Sequence, residues 1–105
     1  GVISADNLMA VEDGTRIWVA GVVTHRQRPR TAGGVTFLGM EDETGLINVV
    51  LSPGVWRRYA HVAGSVKTLM VRGIVRNASG AVSIDADALA PLHAESLSRG
   101  SRDFR

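Results

Sequence analysis

Residues 35–64 read VTFLGMEDETGLINVVLSPGVWRRYAHVAG, and the periodicity of this run changes halfway along. Residues 35–42 have the make-up of a β-strand. The following Glu43-Thr44-Gly45 is short enough for a tight hairpin, with Gly45 expected in a left-handed conformation. Residues 46–51, LINVVL, are rich in β-branched side chains, as a second strand requires. Ser52 then offers a helix N-cap, and Pro53 suits the first helical position, where no amide hydrogen is needed. Val55, Tyr59 and Val62 fall on one helical stripe, and Gly64 is expected to stop the helix. Strand, hairpin, strand and helix therefore lie within thirty residues of sequence.

The pattern extends in both directions. Residues 15–25, TRIWVAGVVTH, read as a strand in which Ile17, Val19 and Val23 share a parity. Gly21 interrupts that row and suggests a bulge or a sharp coil. The loop at residues 26–34, RQRPRTAGG, contains Pro29, which argues against a central strand, and two glycines that tolerate positive φ. Beyond the helix, residues 67–76 and 81–89 read as strands around the turn Asn77-Ala78-Ser79-Gly80. Three strands, one helix and two more strands is the order of the OB-fold, a five-stranded Greek-key barrel with its helix between strands three and four. An SH3-like barrel lacks such a helix, and a ferredoxin-like fold needs two. The expected organisation is a lead-in over residues 1–14, a barrel over residues 15–90 and a flexible tail over residues 91–105.

A chain of 105 residues is one domain. No apolar run approaches the roughly eighteen residues of a membrane span, so no membrane partner is expected. Asp6, Glu12 and Asp13 fill the N-terminus, unlike a signal peptide. The absence of cysteine removes disulfides and thiolate chemistry and is compatible with the cytoplasm. Because Gly1 stands where a methionine would begin a chain, a fragment of a longer parent is expected. The formal net charge is only +2, but the charge is segregated. Residues 15–40 carry Arg16, Arg26, Arg28 and Arg30 and no acid, and all basic residues except Lys67 are arginine. Arginine suits phosphate because its planar fork donates bidentately. Codon usage in a GC-rich genome also explains the arginine, but not its clustering.

Motifs for phosphate loops, dinucleotides, zinc or a nucleophilic serine are missing. His25, His61 and His93 have no ligand spacing, and the acidic hairpin residues Glu41, Asp42 and Glu43 fit a solvated turn better than a metal site. Catalytic residues, metals and cofactors are not expected.

The segment RIWVAGVVTHRQRPRTAGGVTFLGMEDETGLINVV, with the helix PGVWRRYAHV and the terminal SRDFR, closely resembles the C-terminal OB domain of bacterial error-prone DNA polymerases of the ImuC type, DnaE-like alpha subunits of the polymerase III class. The resemblance spans nearly the whole chain. It implies a role in translesion synthesis during the DNA-damage response. The partners it implies are single-stranded DNA, the rest of the parent polymerase and mutasome accessory proteins, and the catalytic carboxylates would lie in a palm domain outside this chain. The run GVTFLGMEDETGLINVV is also similar to the strand 2–3 hairpin of the anticodon-binding OB domains of class II tRNA synthetases. That likeness implies that Phe37 stacks on a base and that Asn48 reads a base edge. On the same alignment Val35, Phe37, Gly39, Leu46, Asn48 and Val50 face outward, while Thr36, Leu38, Met40, Ile47, Val49 and Leu51 face the barrel interior. The synthetase pattern has a second aromatic on the hairpin that this chain lacks.

Two readings stand for each candidate. Phe37 is a stacking platform, unless the strand register slips by one and buries it. Arg26, Arg28 and Arg30 track phosphates beside that face, or form a solvated loop that docks another domain. Trp18, on the opposite parity from Ile17 and Val19, is expected on the outer face under the N-terminal segment, in a structural or protein contact. Trp56 and Tyr59 should pack the helix on the open end of the barrel, with Arg57 and Arg58 on its wet side. In the tail, Arg102 and Phe104 are candidates for docking a protein partner.

Overall fold

The computed structural model describes residues 1–92; the tail candidates Arg102 and Phe104 lie outside them. The strands are β1 (Arg16–Gln27), β2 (Thr36–Asp42), β3 (Gly45–Leu51), β4 (Thr68–Ala78) and β5 (Ala81–Pro91). A single α-helix, α1 (Pro53–Ser65), joins β3 to β4. The sheet closes in the order β1-β2-β3-β5-β4, and of these five neighbouring pairs β3 and β5 run parallel while the others run antiparallel. This is the OB barrel expected from the element order. No helix among the described residues is long and apolar enough to cross a membrane.

Closure depends on β1 serving both neighbours. Its first half pairs with β4 and its second half with β2, and Val22 faces partners on both sides. Gly21 lies at the crossing. A Cβ there would come within 2.6 Å of the Glu41 carbonyl oxygen, so the glycine admits the end of β2 rather than forming the expected bulge. The bulge falls at Thr24, where the pairing register shifts between Val23 and His25. A second shift, between Arg72 and Gly73, leaves Asp87 of β5 without a partner in the register, so that Leu89 rather than Ala88 follows Ala86 into the interior.

The interior is aliphatic. Val19, Leu38, Met40, Ile47, Val49, Leu51, Leu69, Val71, Val75 and Ile84 are buried to 2% exposure or less. Every residue assigned inward on β2 and β3 is buried, so the register is the one that exposes Phe37. Thr36 shares this interior, and among the described residues its hydroxyl has no hydrogen-bond partner.

The two ends of the barrel are closed differently. A 3-10 helix at Ala5–Ala10 inserts Leu8 beneath the core. It is tied to the β2–β3 hairpin, where the Ala5 amide donates to Asp42 and the Asp6 amide to the Thr44 hydroxyl. Asp42 also accepts from the amides of Thr44 and Gly45 and from the Thr44 hydroxyl. These bonds set the turn, and Gly45 takes the positive φ expected of it, at 158°, a value that L side chains rarely adopt. Helix α1 covers the other end with Val55, Trp56, Tyr59 and Val62 packed on the core and Ala63 fully buried. Ser52 caps it by accepting from the Val55 amide at 3.3 Å. Gly64 is not the stop. It is helical and faces Trp56, whose ring would lie 3.7 Å from a Cβ there, and the helix ends at Ser65.

Candidate nucleic-acid interface

The alternation that buries Leu38 and Met40 turns Phe37 outward, where it remains 40% exposed. Across the sheet it is flanked by Gln27 of β1 and Val50 of β3. One row further along, Gly39 lies between His25 and Asn48. Two residues along a strand span about 6.8 Å, so the ring of Phe37 stands beside a gap floored by a residue with no side chain. His25, Gln27, Phe37, Gly39, Asn48 and Val50, with Ser83 of β5, line a cleft of about 400 Å³ on this outer face.

The polar groups around the gap are held in part. The Thr24 hydroxyl donates to the Gly39 carbonyl at 3.2 Å and lies 3.0 Å from His25 Nδ1. A hydroxyl has one proton, so with that proton on the carbonyl the imidazole must donate from Nδ1. In neutral His25 this leaves Nε2 as an acceptor. A Cβ on Gly39 would meet His25 at 3.3 Å, so glycine allows the ring to lie across β2. Gln27 and Asn48 contribute amides, each with donors and an acceptor. Chemically, the arrangement is an aromatic face bordered by groups that match base edges.

The predicted site residues divide. Phe37 and Asn48 share the cleft. The three loop arginines do not act alike. Strand β1 runs to Gln27, two residues past its expected end, so Arg26 is a strand residue. It donates from Nε to the Ala63 carbonyl and from an Nη to the Val66 carbonyl, both at 2.7 Å. The last carbonyls of a helix have no internal partners, and Arg26 fills that role for α1. Arg28 places its guanidinium 5.2 Å from the Trp56 ring centre. Arg30 begins a 3-10 turn (Arg30–Ala32) that ends on Gly33, left-handed at φ 63°. Trp18 lies elsewhere, on the β1–β4 surface. It bridges Val2, accepts from the Ile3 amide at 2.8 Å and has Arg72 5.7 Å from its ring. The N-terminal segment thus lies along it.

His25, Gln27 and Ser83 are cleft residues that sequence reasoning missed. The arginines and Pro29 marked residues 26–34 as loop and hid the continuation of β1. The available signal was Thr24: a bulge there shifts His25 onto the outward face. Burial raises the pKa of Asp42, but the hydrogen bond from the Thr44 hydroxyl and those from the amides of Ala5, Thr44 and Gly45 outweigh it and hold the pKa below its usual 3.8. Among the described residues, no three His, Asp or Glu side chains gather closely enough to hold a metal ion.

Residues 17–92 match the OB-fold nucleic acid binding domain family. Over its full length the chain is 64% identical to the error-prone DNA polymerase of Corynebacterium efficiens and 60% identical to that of Corynebacterium glutamicum. It spans 10% of the length of each of those relatives. The C-terminal placement expected from the resemblance is not part of these matches. Among solved structures, the asparaginyl-tRNA synthetase from Pyrococcus horikoshii superimposes with a TM-score of 0.72 and 22% identity. The match covers 88% of this chain and 23% of the synthetase, and it shows likeness of fold.

Proposed function

This chain belongs to the OB-fold nucleic acid binding domain family, and on that premise we propose that it is a non-catalytic module that holds single-stranded DNA within an error-prone DNA polymerase. The observation that carries this reading is the cleft itself. One exposed aromatic, Phe37, stands beside a glycine-floored gap with His25, Gln27 and Asn48 around it. Stacking on such a platform contributes about 1–3 kcal/mol per base and tolerates any sequence, because every base has a π-face. The 64% and 60% identity of this chain to one-tenth of the length of two error-prone polymerases supports the parent, read as a cytoplasmic translesion enzyme working with mutasome accessory proteins.

The test is a fluorescence-anisotropy titration of residues 1–105 with labelled oligothymidine at two salt concentrations. Binding that weakens with salt and weakens further in Phe37→Ala supports the reading. Absence of binding at low salt refutes it for this chain.

A second reading has its own observation. Val22 and Leu46, 46% and 69% exposed, flank Glu41 on the row beyond the Gly39 row. Such a row suits contact with an accessory protein or with another domain of the parent. Leu46→Glu should weaken that contact and leave oligothymidine binding unchanged.

A further inference from the structure

Apart from Arg26, held by the α1 carbonyls, the arginines among the described residues fall into two groups. Arg16 and Arg72 both bond Asp87, and Arg76 bonds Asp85 at 2.9 Å. Arg28, Arg30, Arg57 and Arg58 are exposed and have no carboxylate partner among the described residues. Sequence reading put Arg57 and Arg58 on the wet side of α1, and they are exposed there. Their surroundings make them more than solvated charges. Between Glu43 and Asp85 the chain contains no acid, and between Asp13 and Glu41 it contains none either. The β1–β2 loop and α1 come from these two segments, so neither brings an acid to the surface they share.

That surface continues from the cleft. Gln27, on the rim, is followed directly by Arg28, whose guanidinium covers Trp56 of α1. Gly34, at the far end of the same loop, packs on Pro53, with 3.3 Å from a would-be Cβ to the ring. Arg57 is the next helical residue after Trp56, and its Nη2 reaches back over the first turn of α1, 4.0 Å from a would-be Cβ on Gly54. Arg26 ties the other end of α1 to β1. The loop and the helix therefore form one block, and the cleft opens beside it.

We propose that the nucleic-acid track does not end at the cleft but runs over the β1–β2 loop onto α1, where Arg57 and Arg58 take the phosphates of nucleotides beyond those stacked at Phe37. The proposal rests on the single-strand reading above and adds a second, phosphate-only section to it. The occupant is a polyphosphate backbone because the surface offers guanidinium groups without acceptors of matching charge, and arginine donates bidentately to phosphate. Contacts to phosphate carry no sequence information, so this section is indifferent to sequence.

The test compares oligothymidines of five and fifteen nucleotides on the wild type and on the double variant Arg57→Gln, Arg58→Gln. Thermal melting checks that the variant is folded, and substitution of exposed helix positions should leave it so. The five-nucleotide strand, filling only the cleft, should bind both proteins alike. For the fifteen-nucleotide strand the salt slope should fall by about 1.4, from about 0.7 per phosphate contact on single strands, and affinity at 0.1 M salt should fall by roughly 25-fold. Unchanged affinity and slope on the long strand overturn the proposal. Equal weakening on both strands overturns it too, because the arginines would then act at the cleft. A polyglutamate titration of both proteins completes the set: its loss in the variant with the long strand unaffected would overturn the proposal and assign the surface to an acidic protein instead. If the wild type binds neither strand, the cleft reading fails first and the track fails with it.

Discussion

Arg26, Arg28 and Arg30 are spaced alike in sequence but engaged differently, so replacing each by methionine should have different effects on folding. Methionine keeps much of the stem and removes the donors. Arg26→Met leaves the Ala63 and Val66 carbonyls without their partner. Hydrogen bonds from charged donors contribute about 1.5–3 kcal/mol each in favourable settings, and this guanidinium is largely exposed, so the pair is reckoned at about 2 kcal/mol in all. At about 4–8 °C per kcal/mol for a domain of this size, the melting temperature should fall by about 10 °C. Arg28→Met removes an exposed cation–π contact of about 0.5–1 kcal/mol and should cost about half as much or less. Arg30→Met touches no such contact and should stay within about 0.5 kcal/mol of wild type. The assay is calorimetric or circular-dichroism melting of the three single variants. Oligothymidine titrations of the same samples should give the reverse order: Arg28→Met and Arg30→Met flatten the salt slope, and Arg26→Met, once folded, changes it little. An Arg26→Met protein that melts with the wild type would refute the clamp on α1.

Other expectations follow from single residues. Thr36→Val removes a buried hydroxyl that has no partner among the described residues and should stabilise the domain by about 1 kcal/mol, measured by urea denaturation. Leu38→Ala, cutting into the core, should cost about 2–5 kcal/mol, whereas Phe37→Ala on the outer face leaves no cavity and should cost much less; equal losses would mean the register is wrong. Asp42 has a depressed pKa in the fold, so its stabilisation is present above its usual 3.8 and is lost as pH falls through the lower folded value. Asp42→Asn should therefore melt below wild type at pH 7, and the gap should close in acid below that range; a pH-independent gap would contradict this.

The fold was legible because its signals were local and agreed with one another. Ser52-Pro53 opened the helix, the β-branched run at 46–51 marked a strand, and the alternation through Phe37 and Leu38 fixed the faces of β2. The cleft was only half legible. Phe37 and Asn48 sit on a hairpin whose register a short turn imposes. His25 and Gln27 reach the site through a bulge at Thr24 and through pairing with β2, a tertiary event that overrides the loop character of their neighbours. The clamp made by Arg26 is hidden for a related reason. Nothing local says that its partners would be carbonyls at Ala63 and Val66, some forty residues away in sequence. Gly21 and Gly64 likewise signal breaks by composition, whereas one admits a crossing strand and the other accommodates the Trp56 ring.

The most direct measurement of the central claim is a backbone amide NMR titration of the isotopically labelled chain with a short oligothymidine. The account predicts that the largest shifts fall on His25, Gln27, Phe37, Gly39, Asn48 and Val50, with the Trp18–Arg72–Asp87 surface unmoved. Shifts concentrated on that β1–β4–β5 surface, or none at saturating oligonucleotide, would contradict the assignment of the outer face of β1–β2–β3 as the binding site.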